Sequence, residues 1–206
     1  MKRILLTFTV LVAGLSVIAP DINAQDNPRA SSRQDRVDQW HQDMAEFRAR
    51  SDKDRQLREL ADSLAGVQAM AAVQNQDFVL VASQVTFRNG MTTFVNTATN
   101  FISVKGKRAV VQISPSNFAS GPNGVGGVTV SGMITGQKTM TDKHGRMTYS
   151  FNVMGVGINA QVEIYMYPGS NGATATVYPN FNSNTVWIEG NIVPYENADI
   201  IQGSTL

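Results

Sequence analysis

The chain has 206 residues, with 17 Lys plus Arg against 16 Asp plus Glu, and no cysteine. That length holds one ordinary domain with an appendage and a core that needs no staples. Near-zero charge without a basic stripe excludes the counterion-release footprint of a nucleic-acid binder, and the missing thiols exclude disulfides, cysteine nucleophiles, Cys-ligated zinc, iron–sulfur clusters and a lipid-carrying cysteine.

Residues 1–24 read as a signal peptide. Lys2 and Arg3 precede an apolar run over 4–19, and Ile22-Asn23-Ala24 supplies a small-residue cleavage site. Pro20 and Asp21 end the run short of the roughly twenty apolar residues that a membrane span needs. The expected product is cut after Ala24, soluble, without a membrane span, and exported to the periplasm or beyond the cell.

Residues 25–76 form a charged arm in which acids and bases alternate in sign, and charge becomes sparse after Asp77. Leu57, Leu60, Leu64, Val67 and Ala71 follow helical steps of three and four, which predicts an amphipathic helix from Lys53 to about residue 75. Ser51 with Asp54 resembles a capping box and sets its expected start. Upstream, Val37, Trp40, Met44 and Phe47 keep a thinner stripe, as a separate helix or a continuation, and residues before Ser31 are expected to be disordered. Because a soluble sheet needs a cover on its apolar face, the stripe from Leu57 to Ala71 is expected to pack on the sheet. For Trp40, Met44 and Phe47, packing and docking of a protein partner both stand.

Residues 77–198 read as strand after strand. The run 78–87 is apolar on both faces and therefore central, and Arg88-Asn89-Gly90 turns it into 91–95. Runs 101–105 and 108–113 form a hairpin about Gly106, and 128–138 and 146–154 form a longer one around Asp142-Lys143-His144-Gly145. Between Gly155 and Tyr178 the alternation is clearest. Ile158, Ala160, Val162, Ile164 and Met166 face one way and Asn159, Gln161, Glu163, Tyr165 and Tyr167 the other, before Pro168-Gly169-Ser170-Asn171-Gly172 turns the chain. A last strand covers 185–193, and 199–206 are left as a tail. The fold class is all-β, an antiparallel sandwich or barrel of roughly eight or nine strands, with an N-terminal α-helix packed on or beside it.

Among inward positions, the large residues Tyr149, Phe151, Ile164, Met166 and Ile188 sit beside the small Gly132, Ala160, Ala173, Ala175 and Gly190. Small residues there mark bends and taper, or leave room for a ligand lined by the five large ones. Gly121-Pro122-Asn123-Gly124-Val125-Gly126-Gly127 superficially resembles a phosphate cradle, but strand residues follow it instead of a helix N-terminus, so it is read as a loop that needs φ > 0 or close packing. His41 and His144 share no ligand spacing and read as surface histidines. Glu163 and Glu189 could lie on neighbouring strands as an acid–base pair, but both alternate with apolar residues, which places them on a solvent face. The amides of Pro179-Asn180-Phe181-Asn182-Ser183-Asn184 suit either a lectin-like polar site or Asx-turns, and turns are expected. No catalytic residues, metal site or cofactor are expected.

From about Phe78 to Pro194 the chain resembles the exported bacterial proteins grouped as domain of unknown function 4251. Thr99-Asn100-Phe101-Ile102-Ser103-Val104, the glycine-rich stretch 121–127, Asn171-Gly172-Ala173-Thr174-Ala175 and the asparagine-rich stretch 179–184 carry that resemblance. It implies a small β-protein behind a signal peptide with a short helical lead. It brings no activity or catalytic residues, and a calycin-like barrel shape is what would connect it with lipid binding. The functional expectation is an exported non-catalytic binding protein for a lipid or other small apolar molecule. The alternative is a structural or protein-interaction module of the cell envelope that uses the helical arm.

Overall fold

The computed structural model describes residues 28–114, 127–155, 159–180 and 185–204. By compactness the chain divides into two units, Met1–Ser51 and Asp52–Leu206. One helix, α1 (Pro28–Gln74), contributes to both. It opens on proline, which is pre-organised for a first helical turn, and it does not restart at Ser51. The expected start at Ser51 is corrected by this continuous helix, which takes the continuation rather than the separate helix for Val37 to Phe47. It includes residues 28–30 of the stretch expected to be disordered; the rest of that stretch lies outside the described residues. Within the first unit Trp40 and Phe47 are exposed and Met44 is half-buried, while Arg50 and Glu46 pair one turn apart at 3.2 Å.

The second unit is an antiparallel barrel. Its strands are β1 (Asp77–Phe87), β2 (Thr92–Phe94), β3 (Phe101–Lys105), β4 (Arg108–Ile113), β5 (Val128–Thr141), β6 (Met147–Gly155), β7 (Asn159–Met166), β8 (Gly172–Pro179) and β9 (Val186–Pro194). Neighbours run β1-β3-β4-β5-β6-β7-β8-β9, and β9 pairs back onto β1, which closes eight strands and leaves β2 as an extra strand on β1. Closure removes the edges that an open sheet would expose. β1 is the central strand: its first half pairs with β3 and its second with β2 on one side, while β9 runs along the other.

The inner wall follows the period of two. Phe78, Leu80 and Ala82 of β1 point in; a bulge between Ala82 and Gln84 then shifts the phase, so that Val85 is the next buried residue. Val79, on the opposite face, is fully buried as well, outside the inner cluster, which is why β1 looks apolar on both faces in sequence. The bend has a partner in Gly190, where any Cβ would collide with the Val81 carbonyl oxygen. Gly132 meets the Met154 carbonyl in the same way, so both glycines serve close strand approach.

From Asp52 onward α1 belongs to the barrel unit. Its buried residues are Gly66, Ala69, Ala72 and Val73, with Met70 partly buried against the core. A Cβ on Gly66 would lie 2.9 Å from both the nitrogen and the oxygen of Ser170, in the β7–β8 turn. Only a small-residue face lets the helix backbone come this near.

Candidate functional site

The five inward residues expected to line a ligand site do come together. Tyr149, Phe151, Ile164, Met166 and Ile188 are all buried in one apolar cluster. Register places Tyr149 opposite Ile164, Ile164 opposite Ala175, and Ala175 opposite Ile188, so one inner row crosses β6 to β9. The Tyr149 ring sits edge-on to Phe78 at 5.8 Å and tilted against Phe151 at 5.2 Å, which packs aromatic surface at this level of the barrel.

Its hydroxyl is the anomaly of the interior. Tyr149 is 2% exposed, and its oxygen is the one buried side-chain polar atom among the described residues without a hydrogen-bond partner. Burial pushes the phenol up to about 12, and the nearby Gln137 amide pulls weakly the other way without making a bond of good geometry. Gln137 instead accepts a hydrogen bond from Gln76 Nε2 at 3.1 Å, at the β5 irregularity between Thr135 and Lys138.

The helix presents a second surface, and it reverses the expected packing. Leu57, Leu60, Leu64 and Val67 are 55%, 62%, 65% and 64% exposed. At about 100° per residue they fall on the side of the helix opposite Gly66, Ala69 and Val73. The leucine stripe is therefore not the lid on the sheet. Close backbone approach at Ser170 selects the small face for the barrel and turns the leucines outward.

The profile of Domain of unknown function (DUF4251) matches residues 62–192. The chain belongs to this family. It is also similar to a solved structure, that of a DUF4251 family protein from Bacteroides eggerthii DSM 20697, at 45% identity over 68% of this chain and 95% of that chain, with a TM-score of 0.61. No curated protein matches.

In this DUF4251 chain the acids stay apart. Glu163 on β7 and Glu189 on β9 are separated by β8, with Thr176 opposite Glu163 and Thr174 opposite Glu189. The two are therefore not on neighbouring strands. The Glu163 carboxylate accepts hydrogen bonds from Gln161 Nε2 at 3.0 Å and from the Tyr165 hydroxyl at 2.9 Å, and that bond to Glu163 raises the Tyr165 pKa. Asp142 caps its turn by accepting from the backbone N–H groups of His144 and Arg146, the latter chiefly holding its pKa below the usual value. His144 lies in that turn and His41 is exposed on α1. Among the described residues no three of His, Asp and Glu converge as metal ligands, and no helix is long and apolar enough to cross a membrane.

Two buried amides were not identified as important from sequence. Gln112 and Asn100 lie under the C-terminal segment and the β2–β3 connection, where they bind backbone groups. Residues 121–126 of the glycine-rich stretch and 181–184 of the asparagine-rich stretch lie outside the described residues.

Proposed function

We propose that this protein is an exported, non-catalytic module that acts through protein–protein contact, with the leucine face of α1 docking a helical partner. One observation carries the reading: Leu57, Leu60, Leu64 and Val67 stand exposed in a line, on a helix whose opposite face already packs on the barrel. Their 3-4-3 spacing, continued by Ala71, is that of a coiled-coil seam. The flanking positions Gln56, Ala61, Ser63, Gln68 and Met70 carry no charge, so nothing repels an identical seam, and a second copy of the chain is the partner that fits. In the other unit, Trp40 and Phe47 are exposed apolar side chains in their own right.

Magnitude decides the kind of association. Eight half-exposed side chains from two copies contribute on the order of 8–10 kcal/mol on burial, against an association cost of about 4–15 kcal/mol. A reversible dimer follows rather than an obligate one. Sedimentation velocity over a concentration series tests this: association should appear with concentration and vanish in Leu60→Glu/Leu64→Glu at unchanged melting temperature. A chain that stays monomeric throughout the series refutes the reading.

A second reading rests on the unpartnered Tyr149 hydroxyl. A lipid or other small apolar molecule with a single acceptor group, held among Tyr149, Phe151, Ile164, Met166 and Ile188, would satisfy it. Native mass spectrometry of protein from its own host would reveal such a passenger, and the N-terminal mass in the same spectrum tests export by cleavage after Ala24.

A further inference from the structure

We propose that an open groove on the outer face of β6, β7 and β8 is a binding site for a neutral saccharide. The groove measures about 510 Å³ and is lined by Asn152, Met154, Asn159, Gln161, Tyr178 and Asn180 together with small neighbours. That volume falls within the range of ordinary ligand sites, roughly 300–1,000 Å³. Register builds its floor: Asn152 lies opposite Gln161, and Gln161 opposite Tyr178. Its rim is stiffened where Asn180 and Asn159 exchange bonds, with the Asn180 backbone N–H donating to the Asn159 carbonyl at 2.9 Å and Asn180 Oδ1 accepting from the Asn159 N–H at 3.0 Å.

The lining selects the ligand class by elimination. No residue of the groove is charged, so an ionic ligand would find no counter-charge there. An apolar ligand would strip water from four side-chain amides and return no hydrogen bonds, which is costly. A polyol loses nothing, because each hydroxyl both donates and accepts, as each amide does through its two ends. The amides are also oriented. Gln161 Nε2 is held by the Glu163 carboxylate at 3.0 Å, which leaves Gln161 Oε1 as the acceptor, and Asn180 Oδ1 is engaged at Asn159, which leaves Nδ2 as the donor. Opposite Gln161, the exposed Tyr178 ring offers an apolar face of the kind a pyranose covers with its C–H groups. Glu163, one step along β7, adds negative charge beside the groove and disfavours acidic sugars.

Titration of the full-length isotope-labelled protein with maltotetraose, cellotetraose, mannotetraose and, as the anionic probe, tetragalacturonate tests this by NMR of the side-chain amides. At least one neutral sugar should shift Asn152, Gln161 and Asn180 saturably and bind more tightly than tetragalacturonate. Tyr178→Ala should weaken that binding about tenfold or more, while Tyr178→Phe, which keeps the ring, should stay within about threefold. Should Tyr178→Ala lose its native backbone spectrum, Asn152→Ala replaces it with the same expected loss. Absence of saturable shifts with all three neutral sugars overturns the proposal. So does equal binding by the folded Tyr178→Ala or Asn152→Ala variant, or tightest binding by tetragalacturonate.

Discussion

Gln112 holds Gly203. The Gln112 Oε1 accepts the Gly203 backbone N–H at 2.8 Å, while its Nε2 donates to the carbonyls of Ile201 at 2.8 Å and Thr99 at 2.9 Å. Thr129 Oγ1 donates to the same oxygen at 3.2 Å, so every bonding position of this fully buried amide is used. Ile201 in turn donates its N–H to the Ala98 carbonyl at 2.8 Å. Residues 201–203 of the tail are thus a strap on the outer side of β3 and β4, the side on which Val79 of β1 and Phe101 and Ser103 of β3 are buried as well.

Gln112→Leu should therefore be destabilising despite the gain in hydrophobicity. It leaves the Ile201 and Thr99 carbonyls and the Gly203 N–H without partners, and each such buried group costs about 1–3 kcal/mol unless the strap peels back to water. A loss of about 2–4 kcal/mol in urea unfolding is expected. Deleting residues 199–206 should cost a similar amount, and the two changes together should be far from additive, because both remove the same contacts.

On the helix, the two faces should respond in opposite senses. Gly66→Val places a branched side chain where even a Cβ would lie 2.9 Å from the Ser170 backbone, so the helix must lift from the barrel and the melting temperature should fall clearly. Leu60→Ala removes a side chain that is 62% exposed, and its effect on monomer stability should stay within about 0.5 kcal/mol. Thermal unfolding at low protein concentration, where any dimer is absent, measures both.

The strands and the inner residues were legible because a pleated strand enforces its period of two without help from distant residues. Tyr149 and Phe151, or Ile164 and Met166, declare their common face by spacing alone. The helix was misread for a physical reason: the leucine stripe carries the larger hydrophobic signal, whereas burial was decided by how near two backbones can come. Gly66, Ala69 and Val73 were a visible small-residue row, but nothing local says that small is what Ser170 requires. Gln112 failed differently. It alternates with Ala109, Val111 and Ile113 as a solvent-facing residue should, and the segment that buries it arrives about ninety residues later. Gln161 was likewise read correctly as outward, but its alignment with Asn152 and Tyr178 depends on the register of three strands.

Inside the barrel, Phe151→Ala should cost about 3–5 kcal/mol, the range for deleting a buried aromatic and leaving a cavity. The void would open beside Tyr149, whose ring stands 5.2 Å away. Ile188→Val, which removes one methyl group from the same inner row, should cost about 0.5–1.5 kcal/mol. Equilibrium denaturation of both variants checks the order; a Phe151→Ala cost near zero would mean that the interior does not pack against this ring.

The last prediction concerns pH. Burial raises the Tyr149 phenol to about 12 in the folded chain, while an unfolded tyrosine titrates near its ordinary value of 10.0. Between those values the unfolded chain gives up a proton that the folded chain keeps, so the contribution of Tyr149 to stability is fully present below pH about 10 and is lost as pH rises toward 12. Tyr165, raised by its bond to Glu163, also titrates late, so the comparison must be between wild type and Tyr149→Phe rather than among tyrosines. In the phenolate absorbance titration the variant should lose the latest-titrating component, and its stability should fall less steeply above pH 10. At neutral pH the same substitution removes a buried hydroxyl that bonds to nothing, so stability should be unchanged or rise by about 1 kcal/mol. A clear loss at neutral pH would mean that the hydroxyl has an acceptor in solution. That outcome would favour the interior-ligand reading over the helix as the working surface of the protein.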